Sequence, residues 1–151
     1  SEEFLRVFTP LLEAGQDVAM AILGDVSIYS TYCYMMELLK AEGFPCVMVP
    51  GVPSFCAVAA RLGRSLTEPD QPLHIIPGGG PGLGEALDLP GSKVLMKAGR
   101  NHQKLLEELE ARKLLDRAAM VENCGLPEER PFADLTGKPD SNGYFTTVII
   151  P

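Results

Sequence analysis

Cysteine is scarce in this chain, and the few that occur are scattered. Cys33, Cys46, Cys56 and Cys124 are the whole complement, and no two of them form a Cys-x-x-Cys pair. That spacing argues against a zinc ribbon and a dithiol redox motif, and no metal site is expected. Cys33 and Cys56 lie in apolar helical patterns and Cys46 in an apolar strand pattern, so buried thiols in a reducing cytoplasm are the expectation. Histidine is scarcer still. His74 and His102 have no partner at metal-ligand spacing and read as structural. No apolar run reaches the ~18 residues that span a bilayer. The opening Ser-Glu-Glu sits on an amphipathic helix and lacks the basic start of a secretion signal. Positive charge is short as well: 13 basic against 20 acidic side chains leave a net charge of −7. A surface of that sign argues against nonspecific partners such as nucleic acid or an anionic membrane. No internal repeat or low-complexity tract interrupts the chain.

What is present suits an α/β fold. Of 151 residues, 46% are apolar, and a chain of this size buries roughly 68–70% of its unfolded surface. Phe4, Phe8, Leu11 and Leu12 recur at helical spacing, and Gly15 is a fitting stop. Val18 to Leu23 is a continuous apolar run, short enough for a buried parallel strand, closed by Gly24-Asp25. Ser30 or Thr31 can cap the next helix, which Gly43 ends. Pro45–Val49 reads as a second strand, Pro50-Gly51-Val52-Pro53 as a rigid turn, and Ser54 as the cap of a third helix through Phe55, Val58, Ala59 and Leu62. This alternation predicts βαβ units on a parallel sheet. A polar, proline-bearing segment at 63–72 reads as a linker. Beyond it come strands at Leu73–Ile76 and Lys93–Lys97, a helix near Asn101–Leu115, and strands at Ala118–Val121 and Phe145–Ile150. A turn is expected at Asp140–Gly143. That order is less regular and implies a mixed sheet. The expected organisation is a partial N-terminal α/β lobe at 1–65 and a C-terminal α/β lobe at 66–151. The first lobe looks incomplete, because two parallel strands cannot stand alone. Either strands are missing upstream or another chain completes the sheet.

Two junctions carry the candidate chemistry. In Leu23-Gly24-Asp25-Val26-Ser27-Ile28-Tyr29-Ser30-Thr31 a strand empties into glycine, an acid and a hydroxyl-rich helix start. Ligands in open α/β sheets bind beyond the carboxyl ends of strands, and glycine admits them to the backbone. In Val49-Pro50-Gly51-Val52-Pro53-Ser54-Phe55 a proline-stiffened loop leads into a helix. Each could be an ordinary strand–turn–helix junction. Both would sit on one sheet edge, which favours a shared site.

Taken together, Gly24-Asp25-x-Ser27-Ile28-Tyr29-Ser30-Thr31-Tyr32 and Pro50-Gly51-Val52-Pro53-Ser54-Phe55 resemble the paired motifs of the S-adenosylmethionine-dependent tetrapyrrole methylases. The Tyr-Ser-Thr element is similar to that of the precorrin-2 C20-methyltransferase branch. The resemblance continues through Val94-Leu95-Met96-Lys97, Val121-Glu122-Asn123-Cys124 and Thr146-Thr147-Val148-Ile149. It implies two α/β lobes with S-adenosylmethionine as cofactor in the cleft, a tetrapyrrole substrate (precorrin-2 or cobalt-factor II) and a homodimer. Carried over by motif position, Leu23, Gly24, Asp25 and Ile28 would line the cofactor. Ser30 and Thr31 would lie close by, Pro53 and Ser54 would come from the second loop, and Met96 and Cys124 would close over the adenosyl part. Because the substrate bears many carboxylates, Arg61, Arg64, Lys97, Arg100 and Lys104 are candidate substrate contacts; a solvated surface would explain them equally well. No catalytic side chain is named, since methyl transfer from a sulfonium mainly requires positioning.

Two departures bear on activity. Val26 stands where the family has proline, and the family's opening Gly-x-Gly-x-Gly-Asp-Pro strand is absent. The chain is therefore expected not to catalyse the reaction by itself. Gly78-Gly79-Gly80-Pro81-Gly82-Leu83-Gly84 has a phosphate-loop look but lacks the Gly-Lys-Ser/Thr ending, so a flexible surface loop is expected. Glu107, Glu108 and Glu110 read as a solvated helix face. Rival readings are a methylase of the same superfamily with another precorrin or a diphthine-type substrate, and a non-catalytic α/β dimerisation module.

Overall fold

The computed structural model describes residues 2–141 and 143–151, so the expected turn at 140–143 has Asn142 outside the described residues. Compactness divides the chain into two units that meet between Pro53 and Ser54.

The first unit holds two helices. Helix α1 spans Glu2–Glu13, with Phe4 and Phe8 one turn apart and their ring centroids 4.5 Å from each other. Gly15, at φ +77°, ends it as expected. Helix α2 spans Tyr32–Ala41 and packs against α1. Its cap differs slightly from expectation: Thr31 occupies the cap position without a side-chain bond, and the Ser30 hydroxyl accepts the Tyr32 N–H at 3.1 Å. The two strands expected at Val18–Leu23 and Pro45–Val49 do not form. Nor are their side chains buried. Leu23 is 71% exposed, Val47 78% and Val49 77%. A strand exists only through its ladder, and the described residues offer these runs no partner. Apolar sequence alone could not supply one.

The second unit is a five-stranded mixed sheet with helices on both faces. Helix α3 (Ser54–Leu62) leads into strands β1 (Leu73–Pro77) and β2 (Ser92–Met96), separated by the short helix α4 (Leu83–Leu87). Helix α5 (His102–Ala111) precedes β3 (Ala119–Glu122), β4 (Arg130–Phe132) and β5 (Thr146–Ile150). The order is β1-β2-β5-β3-β4, parallel only between β1 and β2. This is the mixed sheet that the irregular element order implied.

Strand β5 lies at the centre and all five of its residues are buried. Side-chain alternation sorts the sheet's two faces. Leu95, Met120, Val148 and Ile150 join Leu105, Leu106, Leu109 and Leu135 in one core. Val94, Val121 and Ile149 face the other way, where α3 packs on β2 and β5 through Phe55, Val58 and Ala59. That contact is why the compact division falls ahead of the polar 63–72 segment. Strand β4 was not legible: Pro131 within Arg-Pro-Phe argues against a strand, and the structure tolerates it because β4 is an edge strand. Helix α5 stops at Ala111, short of the expected Leu115, at a turn whose Lys113 sits at φ +55°. Leu114 and Leu115 still pack against the core.

The expectation of buried thiols is corrected. Cys33, Cys46 and Cys124 are only half-buried and Cys56 is exposed. Helix α3 turns Phe55, Val58 and Ala59 inward and leaves Cys56 on its outer side. Glu108 and Glu110 are likewise not merely solvated: Glu108 pairs with Arg112, and Glu110 with Lys138 at 2.6 Å. His74 and His102 each bond a carbonyl, of Pro90 at 2.8 Å and Pro139 at 2.7 Å, which agrees with their structural reading. In the glycine-rich stretch, Gly78 is buried and its N–H donates to the Met96 carbonyl at 2.7 Å, so this end of the loop is fixed to the sheet.

Candidate functional site

In the first unit the two glycine-containing bends meet. The Asp25 carboxylate is the joint between them. One oxygen accepts the Ser27 N–H at 2.8 Å and the Ser27 hydroxyl, and the other accepts the Gly51 N–H at 2.9 Å. These donors stabilise the ionised form and hold the carboxyl below its ordinary range, the Ser27 hydroxyl contributing most. The approach is too close for a side chain. A Cβ at Gly51 would stand 2.2 Å from the Gly24 carbonyl oxygen. Gly24 itself is left-handed at φ +85°, a conformation that glycine adopts without strain.

Around this joint the predicted residues take distinct positions. Leu23 is exposed at the bend, and the Ile28 N–H closes a turn on the Asp25 carbonyl at 3.3 Å. Tyr29 adopts φ +52°, unusual for an aromatic residue. Ser30 and Thr31 start α2, and Pro53 ends the unit half-buried. A cavity of about 720 Å³ lies beside the bends, lined by Gly24 and Gly51 and by apolar groups that include Phe4, Phe8, Ile22 and Leu39.

The second unit gathers its own candidates at one end of the sheet. Strands β2 and β3 both run antiparallel to β5, so their carboxyl ends share an edge with the start of β5. Met96 ends β2, Cys124 follows β3, and the residues between strand and loop are left-handed: Lys97 at φ +57° and Asn123 at φ +54°. Neither is glycine, so each conformation carries a cost that the surroundings must hold in place. They do so through backbone bonds to the start of β5, from the Ala98 N–H to the Thr146 carbonyl at 3.1 Å and from the Asn123 N–H to the Phe145 carbonyl at 2.9 Å. Ser54, at the start of α3, accepts a hydrogen bond from the Thr147 hydroxyl at 3.3 Å, which anchors it over the same edge.

Cys124 does not read as a nucleophile. Burial pushes its thiol up, Glu129 adds to the rise, and Arg61 opposes it only weakly. The basic residues are dispersed in their surroundings. Arg61 pairs with Glu129 at 2.5 Å and Arg64 lies in the field of Asp134. Arg100 and Lys104 are exposed near the start of α5. Sequence reasoning missed Thr147 as the partner of Ser54. It also missed the buried Glu122, which pairs at 2.9 Å with Arg130 beside Cys124's loop. Neither had a local signal, because Thr147 meets Ser54 only where α3 packs on β5, and Glu122 meets Arg130 only across the β3–β4 pair.

Chemically, the first unit offers exposed backbone at two fused, rigid bends, and the second offers a thioether, a half-buried thiol and an anchored hydroxyl on one edge. The described residues contain no cluster of metal ligands. Among them, no helix is long and apolar enough to cross a membrane.

Residues 1–139 match the family model for Tetrapyrrole (Corrin/Porphyrin) Methylases. A Precorrin-2 C(20)-methyltransferase of Sinorhizobium sp is 32% identical over 143 residues, covering 93% of this chain and 58% of that protein. The Cobalamin biosynthesis protein CobIJ of Mycobacterium tuberculosis is 34% identical over 145 residues, covering 93% of this chain but 28% of that protein. The chain thus spans well under two thirds of these relatives. Among solved structures, a cobalt precorrin-4 methyltransferase superposes with a TM-score of 0.80 at 21% identity, over 98% of this chain and 69% of that one. A uroporphyrin-III C-methyl transferase from Thermus thermophilus, complexed with S-adenyl homocysteine, gives 0.72 at 21% identity, over 99% and 72%.

Proposed function

The chain belongs to the tetrapyrrole (corrin/porphyrin) methylases, and from that premise we propose that the protein it represents transfers a methyl group from S-adenosylmethionine to C20 of precorrin-2 or cobalt-factor II in cobalamin biosynthesis. One observation carries the reading. Asp25 ties the Gly24 bend to the Gly51 bend through the 2.9 Å bond from the Gly51 N–H. Two motifs that lie 26 residues apart in sequence are thereby fused into one backbone-rich surface, which is what the resemblance requires of a cofactor cradle. The residues present fit such a ligand. Leu23, Gly24 and Gly51 remain exposed beside the joint, while Asp25 is spent on holding it.

When bound, the cofactor supplies an already activated methyl group on a sulfonium. The chain's own task is then to hold it still. In this reading Leu23, Gly24, Asp25, Ile28, Ser30, Thr31 and Pro53 form the first unit's contribution, with Asp25 a positioning residue. Ser54, Met96 and Cys124 are proposed as the second unit's contacts. Burial pushes the Cys124 thiol up, which disfavours the thiolate that would compete for the methyl group. Orientation of this kind is worth ~7–11 kcal/mol in well-aligned reactions, so no acid–base pair is demanded. Within the family's two-lobe plan, residues 1–65 are taken as part of the N-terminal lobe and 66–151 as the C-terminal one. The C20 position is favoured by Tyr29-Ser30-Thr31 and by the Sinorhizobium relative.

The test uses the full-length protein. S-adenosylhomocysteine is titrated by calorimetry, and radiolabelled methyl transfer to precorrin-2 and precorrin-4 is compared. Binding together with label on precorrin-2 is expected. Label on precorrin-4 alone would leave the family intact and overturn the C20 reading, and failure to bind would overturn the cradle.

A further inference from the structure

The edge that carries Met96 and Cys124 also holds a buried acid to which the methyl-transfer reading gives no task. Glu122 ends β3 and is only 5% exposed. A carboxylate so enclosed needs a partner, and Arg130 supplies one from the edge strand β4. Its guanidinium donates to one Glu122 oxygen at 2.9 Å and to Asp140 at 3.3 Å. It also lies over the Phe132 ring, 5.2 Å from the centroid. The ion pair would be ordinary if Glu122 met nothing else. Its other oxygen, however, abuts backbone. A Cβ at Gly143 would stand 2.3 Å from Oε1, with Cδ and Cγ of Glu122 next at 3.0 Å.

Gly143 is in turn met by Gly99. A Cβ at Gly99 would stand 2.0 Å from the Gly143 carbonyl oxygen, and Gly99 is not left-handed. Lack of room, not a need for conformational freedom, excludes a side chain there. Glu122, Gly143 and Gly99 thus form a stack from the end of β3, through the loop before β5, to the loop after β2. Its middle layer is fastened: the Thr146 hydroxyl donates to the Gly143 carbonyl at 2.8 Å and shares a 2.9 Å bond with the Ser141 hydroxyl. So is its last. The Ala98 N–H donates to the Thr146 carbonyl at 3.1 Å, and the Asn101 amide to the Gly79 carbonyl at 2.8 Å. Contacts this close transmit a change in size more than they absorb it.

We propose that Glu122 is a positioning residue for the cofactor, a spacer whose length sets how far apart the loops carrying Met96 and Cys124 are held. Cys124 follows Glu122 by two residues, and Met96 precedes Gly99 by three. The stack between them is therefore the shortest connection from one proposed contact to the other that runs through packed atoms. This inference rests on the assignment of Met96 and Cys124 to S-adenosylmethionine. It separates size from charge: the contact with Gly143 belongs to the shape of the side chain, and the pairing with Arg130 to its charge. Arg130 keeps Asp140 as a partner when the charge is removed.

The test is a size swap in the full-length protein, with S-adenosylhomocysteine titrated by calorimetry into each folded variant. Glu122→Ala removes the spacer, and Gly143→Ala forces it aside. Each alone is expected to weaken binding at least tenfold. Glu122→Gln, the conservative variant, keeps the shape and should recover most of that loss. The double variant Glu122→Ala/Gly143→Ala places the new Cβ in the space that the acid vacates, and should bind at least threefold more tightly than either single variant. A merely structural role would lower Tm without that recovery. If Gly143→Ala does not fold, Glu122→Ala against Glu122→Gln decides. Wild-type affinity in Glu122→Ala, equal loss in Glu122→Gln, or a double variant no better than the singles overturns the spacer alone. Failure of the wild-type protein to bind overturns the cofactor reading and the spacer with it.

Discussion

Replacing Gly51 with alanine tests the joint between the two bends more directly than any charge change. The added Cβ would stand 2.2 Å from the Gly24 carbonyl oxygen, against 3.4 Å or more for an ordinary contact. The obstacle is backbone, so it cannot swing aside as a side-chain tip would. The bends must separate by about 1 Å, and overpacking of this sort costs typically ~1–3 kcal/mol. The first unit is open to solvent and can yield, which puts the cost near the lower end. In a chain of this size about 1 kcal/mol lowers Tm by roughly 2–4 °C. The same displacement stretches the 2.9 Å bond from the Gly51 N–H to Asp25 beyond hydrogen-bonding range. Binding should suffer more than stability, because a ~1 Å error in a positioning site is worth up to 10²-fold. Calorimetry with S-adenosylhomocysteine on the full-length protein is expected to show at least a tenfold weaker Kd. Gly137→Ala, where nothing lies within 4 Å of the new Cβ, should match wild type. Equal affinity for Gly51→Ala and wild type would refute the idea that the joint builds the cradle.

Other outcomes follow from the same structure. Leu109, fully buried between α5 and the sheet, should cost ~2–5 kcal/mol on substitution by alanine, read from urea unfolding. The Ser54–Thr147 contact should show a coupling of about 0.5–1.5 kcal/mol in a double-mutant cycle of Ser54→Ala and Thr147→Val. For Asp25 the native carboxyl is depressed, so its contribution is fully present above the ordinary value of 3.8 and is lost as pH falls below that through the native one. Amide shifts of Ser27 and Gly51 should report this loss, and Asp25→Asn should abolish the titration. Cys124, half-buried and pushed up, should react with iodoacetamide at pH 7.5 more slowly than exposed Cys56; the reverse order by mass spectrometry would contradict the assigned burial.

Sequence legibility tracked where each element's cause resides. Helix periodicity and glycine stops are local, so α1, α2 and α3 fell close to their expected bounds. The buried strands β2, β3 and β5 were also legible, because their β-branched and apolar runs are packed on both faces. Strand β4 was not, since its Pro131 only makes sense once the strand is known to lie at an edge. The runs at 18–23 and 45–49 erred the other way. Their side chains have strand character, and yet no ladder is available to them among the described residues. Composition marks what a segment can pair with, not whether the partner is there.

The candidate site shows the same asymmetry and suggests why its motifs were readable at all. Gly24 and Gly51 are fixed by steric contact with each other, and Asp25 is the short acceptor that can reach both bends. Such demands fall on residue type, so they leave a mark in sequence. Thr147 acts through a helix residue packed on the sheet, and Glu122 and Arg130 through each other across two strands; many residue types could fill those positions in other sheets. The backbone gives a further pointer that sequence hides: Tyr29, Lys97 and Asn123 all hold left-handed conformations beside motif residues. A turn that needed only to reverse the chain would be met by glycine at lower cost. Gly-substitution at Lys97 should therefore leave Tm unchanged or raise it, while weakening S-adenosylhomocysteine binding through a less fixed Met96. A stabilised variant with undiminished affinity would show that the strain serves the fold alone.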